Sequence, residues 1–378
     1  LVDQASITVH SEFGSLLNEE TNSPEKPIRY LRTEVRQGSS EFDSGDMESN
    51  LSIVFRRLPM ELSPWNLSRG LWIQLDAAYK SAVSALMRKE TRLDKADSDR
   101  PAMAPLSPVE REECPPLTLD ADWVRDRTQA LSAALSDVEG LEEAYSVGAQ
   151  LSTRVRTFTT EGTRLCRIYP ETVFRVQATM RSEEGSLVSS SRSWVVRHKH
   201  QLPSHSAMLQ EVAEMASTLK DTVNAPLLQD YIGPVLLEEA ASVEFFRQLL
   251  MPEIVGTPPP ASLDYASEQS PLQAPPSARV GRRLLPFGWS VRDDAGVDAP
   301  GHYEWDYEGA PAAAIDVVLD GVLRQPLMSR VPVDFESRTT GHGRSQGSRR
   351  RSAFPGVVFV TPPKIFSRRK LEKKALKA

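Results

Sequence analysis

Glu238-Glu239, Asp293-Asp294 and Asp306 with Glu308 place carboxylates side by side or two apart. Such pairs can hold a hard cation through oxygen, or divide the work of general acid and general base. His198 and His200 stand at the end of an alternating run, where both imidazoles would face one side of a strand. Gly341-His342-Gly343-Arg344 has the composition of a small anion-binding turn but lacks a strand-to-helix setting. Cys114 lies among prolines and Cys166 within a strand-like run, and neither has a base beside it in sequence. The chain contains no G-x-S-x-G elbow and no Walker loop. By residue type alone, acids in glycine-rich turns and histidines at a strand end read first as solvated groups.

These groups need a scaffold. The 378 residues are 40% hydrophobic and 25% charged, enough apolar content for two or more cores. No apolar run approaches the roughly 20 residues that span a bilayer, and no basic-then-apolar leader follows Leu1. Two cysteines are too few for a disulfide framework or a cysteine metal site, so the default expectation is a reducing compartment, the cytoplasm. The net charge of −6 hides an asymmetry. Residues 338–378 hold twelve Lys/Arg and one acid, Glu372, for 12 − 1 = +11, which leaves 33 − 50 = −17 on residues 1–337. A basic tail can bind nucleic acid or an anionic surface. With no aromatic stacking pattern beside it, this one reads as a solvated end that can dock on its own acidic body.

Residues 5–58 read as strands: Ile7, Val9 and Phe13 lead to Gly14, and Tyr30 to Arg36 alternates into Gly38, with Phe42-Asp43 beyond. Leu71 to Thr91 predicts a helix with Leu75, Tyr79, Ala82 and Leu86 facing in, and with Trp72 in the core or at its rim. Asp97 to Pro116 is proline-rich and predicts an extended connection. The next helix runs from about Asp120 to Ser136, capped by Asp120 or Asp122, with Trp123, Val124, Leu131 and Leu135 inward. From 144 to 199 the period falls from four to two. Runs at 151–158, 164–168, 173–180 and 187–196, parted by Glu161-Gly162, Pro170 and Glu184-Gly185, predict an antiparallel meander. Ser204 or Ser206 then caps a helix to about Val223, with Leu209, Val212, Ala216 and Leu219 inward.

The stretch Tyr231 to Leu250 joins a Gly233-Pro234 turn and Val235-Leu236-Leu237 to a helix with Glu238 and Glu239 in its first turn. Leu237, Ala241, Phe245 and Leu249 recur every four residues, and Ala240, Val243, Phe246 and Leu250 fill adjacent rows, so the helix is expected to be buried on most sides. Residues 257–276 are proline-rich and read as a long surface loop. Aromatic, glycine-punctuated runs follow, with a strand at 315–319, an Asp320-Gly321 turn and a second strand at Val322-Leu323.

Several of these strings, in this order, resemble the TldD/PmbA family of metallopeptidase-like proteins, once called modulators of DNA gyrase. They are Arg29, Leu31, Val35, Arg36, Gly38, Phe42 and Asp43; Leu71 to Lys89; Thr160-Glu161-Gly162-Thr163; the Gly233-Pro234 lead-in; Asp306, Glu308 and Gly309; Leu327-Met328-Ser329-Arg330; and Gly341 to Arg344. In the family's active branch the lead-in continues into H-E-x-x-x-H, two zinc-binding histidines around a general-base glutamate. Here Glu238 stands at the first histidine, Glu239 at the glutamate and Val243 at the second histidine. Family members run on past the point where this chain stops, so Ala378 is expected to mark a truncation, a fragment or a degenerate gene end.

The resemblance implies an α+β protein. Residues 1–225 would set helices on a mixed or antiparallel sheet; residues 226–378 would form a mostly-β, incomplete domain with the proline-rich loop 257–276 and the basic tail 338–378. It also implies a dimer that lodges peptide or unfolded polypeptide between subunits, in some members a heterodimer whose second subunit lacks the histidines. The chain is similar to that second kind: a peptide-binding or partner subunit of a proteolytic assembly, with Glu239 inactive at the base position and no cofactor. One alternative is an active zinc metallopeptidase with substituted ligands, Glu238 and Glu239 among them and His198, His200, His302 or His342 brought near. Zinc hydrolysis needs about three protein ligands and an open position, and Val243 has no lone pair to give. A second alternative is an interaction protein that uses its basic tail.

Overall fold

The computed structural model describes residues 1–46, 53–59, 63–92, 101–226, 230–258, 279–333, 338–344 and 352–377. The proline-rich expectation over 257–276 lies almost wholly outside the described residues.

Strand β1 (Val2–Glu12) is the axis of the larger sheet, and its alternation is plain: Asp3, Ala5, Ile7, Val9 and Ser11 are buried on one face. Phe13 and Gly14, with φ of 44° and 82°, turn it into β2 (Ser15–Asn22). β1 also pairs antiparallel with β3 (Ile28–Glu34), which β4 (Ile53–Arg57) flanks. On its other side β1 pairs with β6 (Leu141–Phe158), β6 with β7 (Arg164–Arg181), and β7 with β8 (Leu187–Val196). Short β5 (Glu110–Arg111) joins β7 in parallel, so the eight-stranded sheet is mixed.

β7 runs through Pro170, where the sequence predicts a break. β8 ends with Val196 opposite Thr172 and β5 reaches only Arg164 and Leu165, so one edge of β7 is unpaired at Pro170. A proline is tolerated in a strand at such an edge, where no neighbour needs its N–H.

Helices α2 (Ala121–Ala133) and α3 (His205–Val223) cover one face of the sheet. Asp120 and Ser204 cap them by accepting from the backbone N–H of Trp123 and Ala207, each at 3.2 Å. Beneath them Ile7, Val9, Val124, Leu131, Phe174, Val176, Met208 and Leu219 form one core cluster. Helix α1 (Pro64–Arg92) lies against β3 and β4 through a narrow stripe of Gln74, Ala78, Ala82, Ala85 and Lys89. Leu75 and Tyr79, expected inside, are exposed, as is Trp72, because the alanine stripe is the face that approaches the sheet closely.

A second core gathers Leu250, Ile254, Val291, Val317, Val318, Leu323 and Leu327. It is built on β9 (Ser290–Asp294), β10 (Ala314–Leu319) and β11 (Val322–Leu323), with a two-stranded ladder of β12 (Gly343–Arg344) and β13 (Ser352–Ala353) nearby. β14 (Val358–Thr361) completes the four-stranded order β11-β10-β9-β14. Helix α4 (Glu239–Ile254) enters this unit, and basic helix α5 (Arg368–Ala375) ends it. The expectation that α4 is buried on most sides is overturned. Only Leu250 and Ile254 are buried and Phe246 partly so, while Val235, Leu237, Val243, Phe245 and Leu249 are exposed. The apolar pattern is present, but the small sheet covers only the last turns of the helix.

The cysteines also depart from expectation: Cys114 and Cys166, 52 residues apart, form a disulfide. The pairing of β5 with β7 carries the proline-rich segment alongside Cys166 and brings the two sulfurs together. Among the described residues, no helix is long and apolar enough to cross a membrane.

Candidate functional site

Glu238 precedes α4 in extended conformation, and Glu239 opens the helix with φ of 44°, an uncommon conformation for a residue with a Cβ. Each carboxylate meets an arginine. Arg192 on β8 bonds Glu239 and also reaches Glu211 at 3.1 Å; the Glu239 carboxylate raises the Arg192 guanidinium above its ordinary value. Arg368 on α5 lies 3.0 Å from Glu238 and 3.1 Å from Glu372. Val243 is 68% exposed. Two carboxylates engaged by guanidinium groups and a valine do not make a zinc donor set, and among the described residues no group of three His, Cys, Asp or Glu could hold a metal ion.

The other candidate histidines disperse. His198 and His200 stack with ring centroids 5.6 Å apart. Asp298 approaches His198 at 3.8 Å, yet its oxygens are engaged by Arg197 and by the Gln201 amide at 2.9 Å. The backbone N–H of His302 closes a turn onto Ala299.

Of the carboxylates expected to be solvated, Asp293, Asp306 and Glu308 are instead buried, while Asp294 is half-buried. Asp293 and His342 are fully enclosed, with Asp293 Oδ1 2.7 Å from His342 Nε2. Asp293 Oδ2 accepts from Gly356 N–H at 2.9 Å, and His342 Nδ1 lies 2.8 Å from the Thr340 carbonyl. Asp306 accepts from the backbone N–H of Glu308, Ala310 and Gly343 at 2.8–2.9 Å. Within the string Gly341 to Arg344, whose composition alone does not establish an anion site, the Gly343 N–H holds the carboxylate of Asp306. Tyr303 donates to the Gly341 carbonyl at 2.8 Å, and burial pushes its phenol far above the ordinary range. These turns leave no room for side chains: a Cβ on Gly341 would meet the Pro311 carbonyl at 2.0 Å, with φ of +74° besides, and one on Gly343 would meet Glu308 Oε2 at 2.0 Å.

Arg330 ties this network to the larger sheet. It is 4% exposed; its guanidinium donates to both oxygens of Glu161 at 2.6 and 2.8 Å and to the Ala104 carbonyl at 3.0 Å, while its backbone N–H donates to Glu308 at 2.7 Å. Those bonds hold the Glu161 carboxyl below its ordinary range. Arg167 on β7 makes a second tie, donating to the Trp305 and Asp306 carbonyls and to Thr157 Oγ1. The ring of Tyr307 stands edge-on to Tyr169, whose phenol burial pushes up to about 12. Three strings singled out in the sequence, around Glu161, Asp306-Glu308 and Arg330, thus converge, and what they build is a junction. Sequence reasoning missed Arg167, Arg192 and Arg368, because an arginine's partner on another element leaves no local signal.

The architecture defines an α+β protein whose broad helix-backed sheet is fastened through a buried ion network to a smaller β unit. Residues 231–370 match the family model described as the PmbA/TldA metallopeptidase C-terminal domain. The fold along nearly the whole chain is that of TldD/PmbA proteins. A putative modulator of DNA gyrase from Thermotoga maritima superposes with a TM-score of 0.62 at 13% identity, over 96% of this chain and 72% of that one. TldE from Thermococcus kodakarensis gives 0.62 at 12% identity, over 95% of this chain and 73% of that one. A putative modulator of DNA gyrase from Bacteroides thetaiotaomicron gives 0.59 at 12% identity, over 95% and 71%. No curated protein sequence matches the chain.

Proposed function

We propose that this chain is a non-catalytic, peptide-binding or partner subunit of a TldD/PmbA-type protease assembly, pairing with itself or with a histidine-bearing TldD-like subunit. The observation that carries the reading is the state of the three positions where the resemblance puts zinc ligands and base. Glu238 and Glu239 are each paired to an arginine, and Val243 is an exposed side chain with no donor atom. A general base must be free to take a proton from a bound water or substrate; Glu239 faces Arg192 instead. The exposed apolar side chains of Phe245 and Leu249, one turn apart on α4, give a partner chain or an extended peptide something to cover.

The test is metal content by elemental analysis, on the purified chain alone and after co-expression with a histidine-bearing TldD-like subunit. Less than about a tenth of an equivalent of zinc alone, with a full equivalent in a co-purifying complex, is the expected result. One tightly held zinc in the chain alone would sink the reading and return the chemistry to substituted ligands.

A further inference from the structure

We propose that the Cys114–Cys166 disulfide is a redox latch on the junction between the broad sheet and the smaller β unit. The segment from Ala102 to Cys114 is a strap laid along that junction. At its start, Ala102 and Met103 donate to the carbonyls of Glu41 and Ser40, and Arg36 donates to the Ala102 carbonyl. Ala104 then crosses to the smaller unit: its N–H donates to the Arg330 carbonyl at 2.7 Å, and its carbonyl accepts from Arg330 Nε at 3.0 Å. The Val109 carbonyl accepts from Arg164 N–H at 2.7 Å, and the two residues of β5 are all the regular pairing the strap has. Arg111 ends 3.5 Å from Glu304 and lies over the Trp305 ring at 5.9 Å.

The disulfide closes this path. Cys166 is buried on β7, next to Arg167, which holds the Trp305 and Asp306 carbonyls. The bond therefore ties the strap to β7 one residue from Arg167, the side chain that holds the carbonyls of Trp305 and Asp306 in the smaller unit. Two residues of parallel ladder and exposed ion pairs are a weak hold by themselves, which leaves the covalent bond as the strongest restraint on residues 105–116.

Cys114 is the more accessible residue of the pair and Cys166 the buried one. A dithiol reductant supplies the chemistry. Its first thiolate attacks Cys114 Sγ, forming a mixed disulfide and breaking the Cys114–Cys166 bond, and Cys166 leaves with the electron pair and takes up a proton. The second reductant thiol then attacks the mixed disulfide, so the reductant is oxidised to its own disulfide and Cys114 is freed as a thiol. Two electrons and two protons pass to the protein, and the strap is left held by its hydrogen bonds, its exposed ion pairs and the packing of Ala102 and Ala104.

Hydrogen exchange on the full chain tests this, with and without dithiothreitol followed by alkylation, and with the Cys114→Ser/Cys166→Ser variant as a second route to the open latch. Peptides covering Ala104 to Arg111 and Tyr303 to Glu308 are expected to exchange at least tenfold faster in the reduced protein, while those covering the β1–β6 ladder keep their rates. Three results would overturn the latch: equal exchange within twofold in strap and junction, a loss of protection that spreads equally over β1 and β6, or two thiols that stay free after incubation with oxidised glutathione.

Discussion

Replacing Arg330 by Met removes the fork that joins Glu161 to the smaller unit and keeps most of the buried stem. The cost can be built from its contacts. The Ala104 carbonyl loses its guanidinium donor at 3.0 Å, and a buried acceptor left with a poorer set of partners costs about 1–3 kcal/mol. Removing one member of a wholly buried ion pair would cost about 3–5 kcal/mol, but the Glu161 side chain is 40% exposed and regains water, so its share falls toward the 0–1 kcal/mol of a surface pair. Together they predict a loss of about 3 kcal/mol in urea denaturation at pH 7. Arg330→Lys keeps the charge but lacks the planar fork that bonds both Glu161 oxygens and the Ala104 carbonyl at once, and should lose roughly half as much. The Glu161 carboxyl is depressed by its bonds to Arg330. Its contribution is thus present above the unfolded value of about 4.3 and lost as pH falls through the lower folded value, so the gap between wild type and Arg330→Met must narrow below about pH 4. A difference under about 1 kcal/mol at pH 7, or one that stays at full size at pH 3, would refute the assignment of Arg330 as the junction's principal tie.

The turn that holds Asp306 should be intolerant of a single methyl group. Gly343→Ala puts a Cβ 2.0 Å from Glu308 Oε2 and displaces the carboxylate that accepts from Arg330 N–H, with an expected loss above about 2 kcal/mol. Gly140→Ala, with φ of 86° and open space around it, should lose only the roughly 1–2 kcal/mol of backbone strain in the same urea assay. In alkaline solution the phenol of Tyr169 is raised to about 12 by burial, so its ionisation, followed at 295 nm, should trail the exposed tyrosines. Because the folded value lies above the unfolded value of about 10, Tyr169 contributes stability that is complete below pH 10 and lost as pH rises from about 10 to 12. Replacement by Phe should flatten that part of the stability curve.

Local chemistry made much of the scaffold legible. Asp120 and Ser204 cap their helices, Asp320-Gly321 turns between β10 and β11, and period-two runs became β6, β7 and β8, because each of these depends on residues within a few positions of one another. What failed depends on distance. Nothing near Cys114 points to Cys166, since the contact exists only after β5 lies down beside β7. Likewise the acids at 293, 306 and 308 look solvated until Gly356, Gly343 and Arg330 fold back and spend their backbone N–H groups on them.

Helix α4 shows the remaining gap most clearly. Its apolar rows were read correctly as a surface that water does not favour, and the inference to burial within the chain was wrong. Periodicity says which residues gain by being covered; it does not say that this chain supplies the cover. Of those rows, only Leu250 is buried and Phe246 partly packed on the second core, and the upper turns meet arginines at one end and solvent along the flank. Glu238, Glu239 and Val243 sit on that uncovered part. The positions from which the function was first read are therefore also the ones where a partner's surface would matter most. Mutating Phe245 and Leu249 to Ser should cost little stability in the chain alone, as both are about half exposed, and should abolish co-purification with a histidine-bearing subunit. If the complex survives both changes, the partner binds elsewhere and the apolar rows of α4 need another explanation.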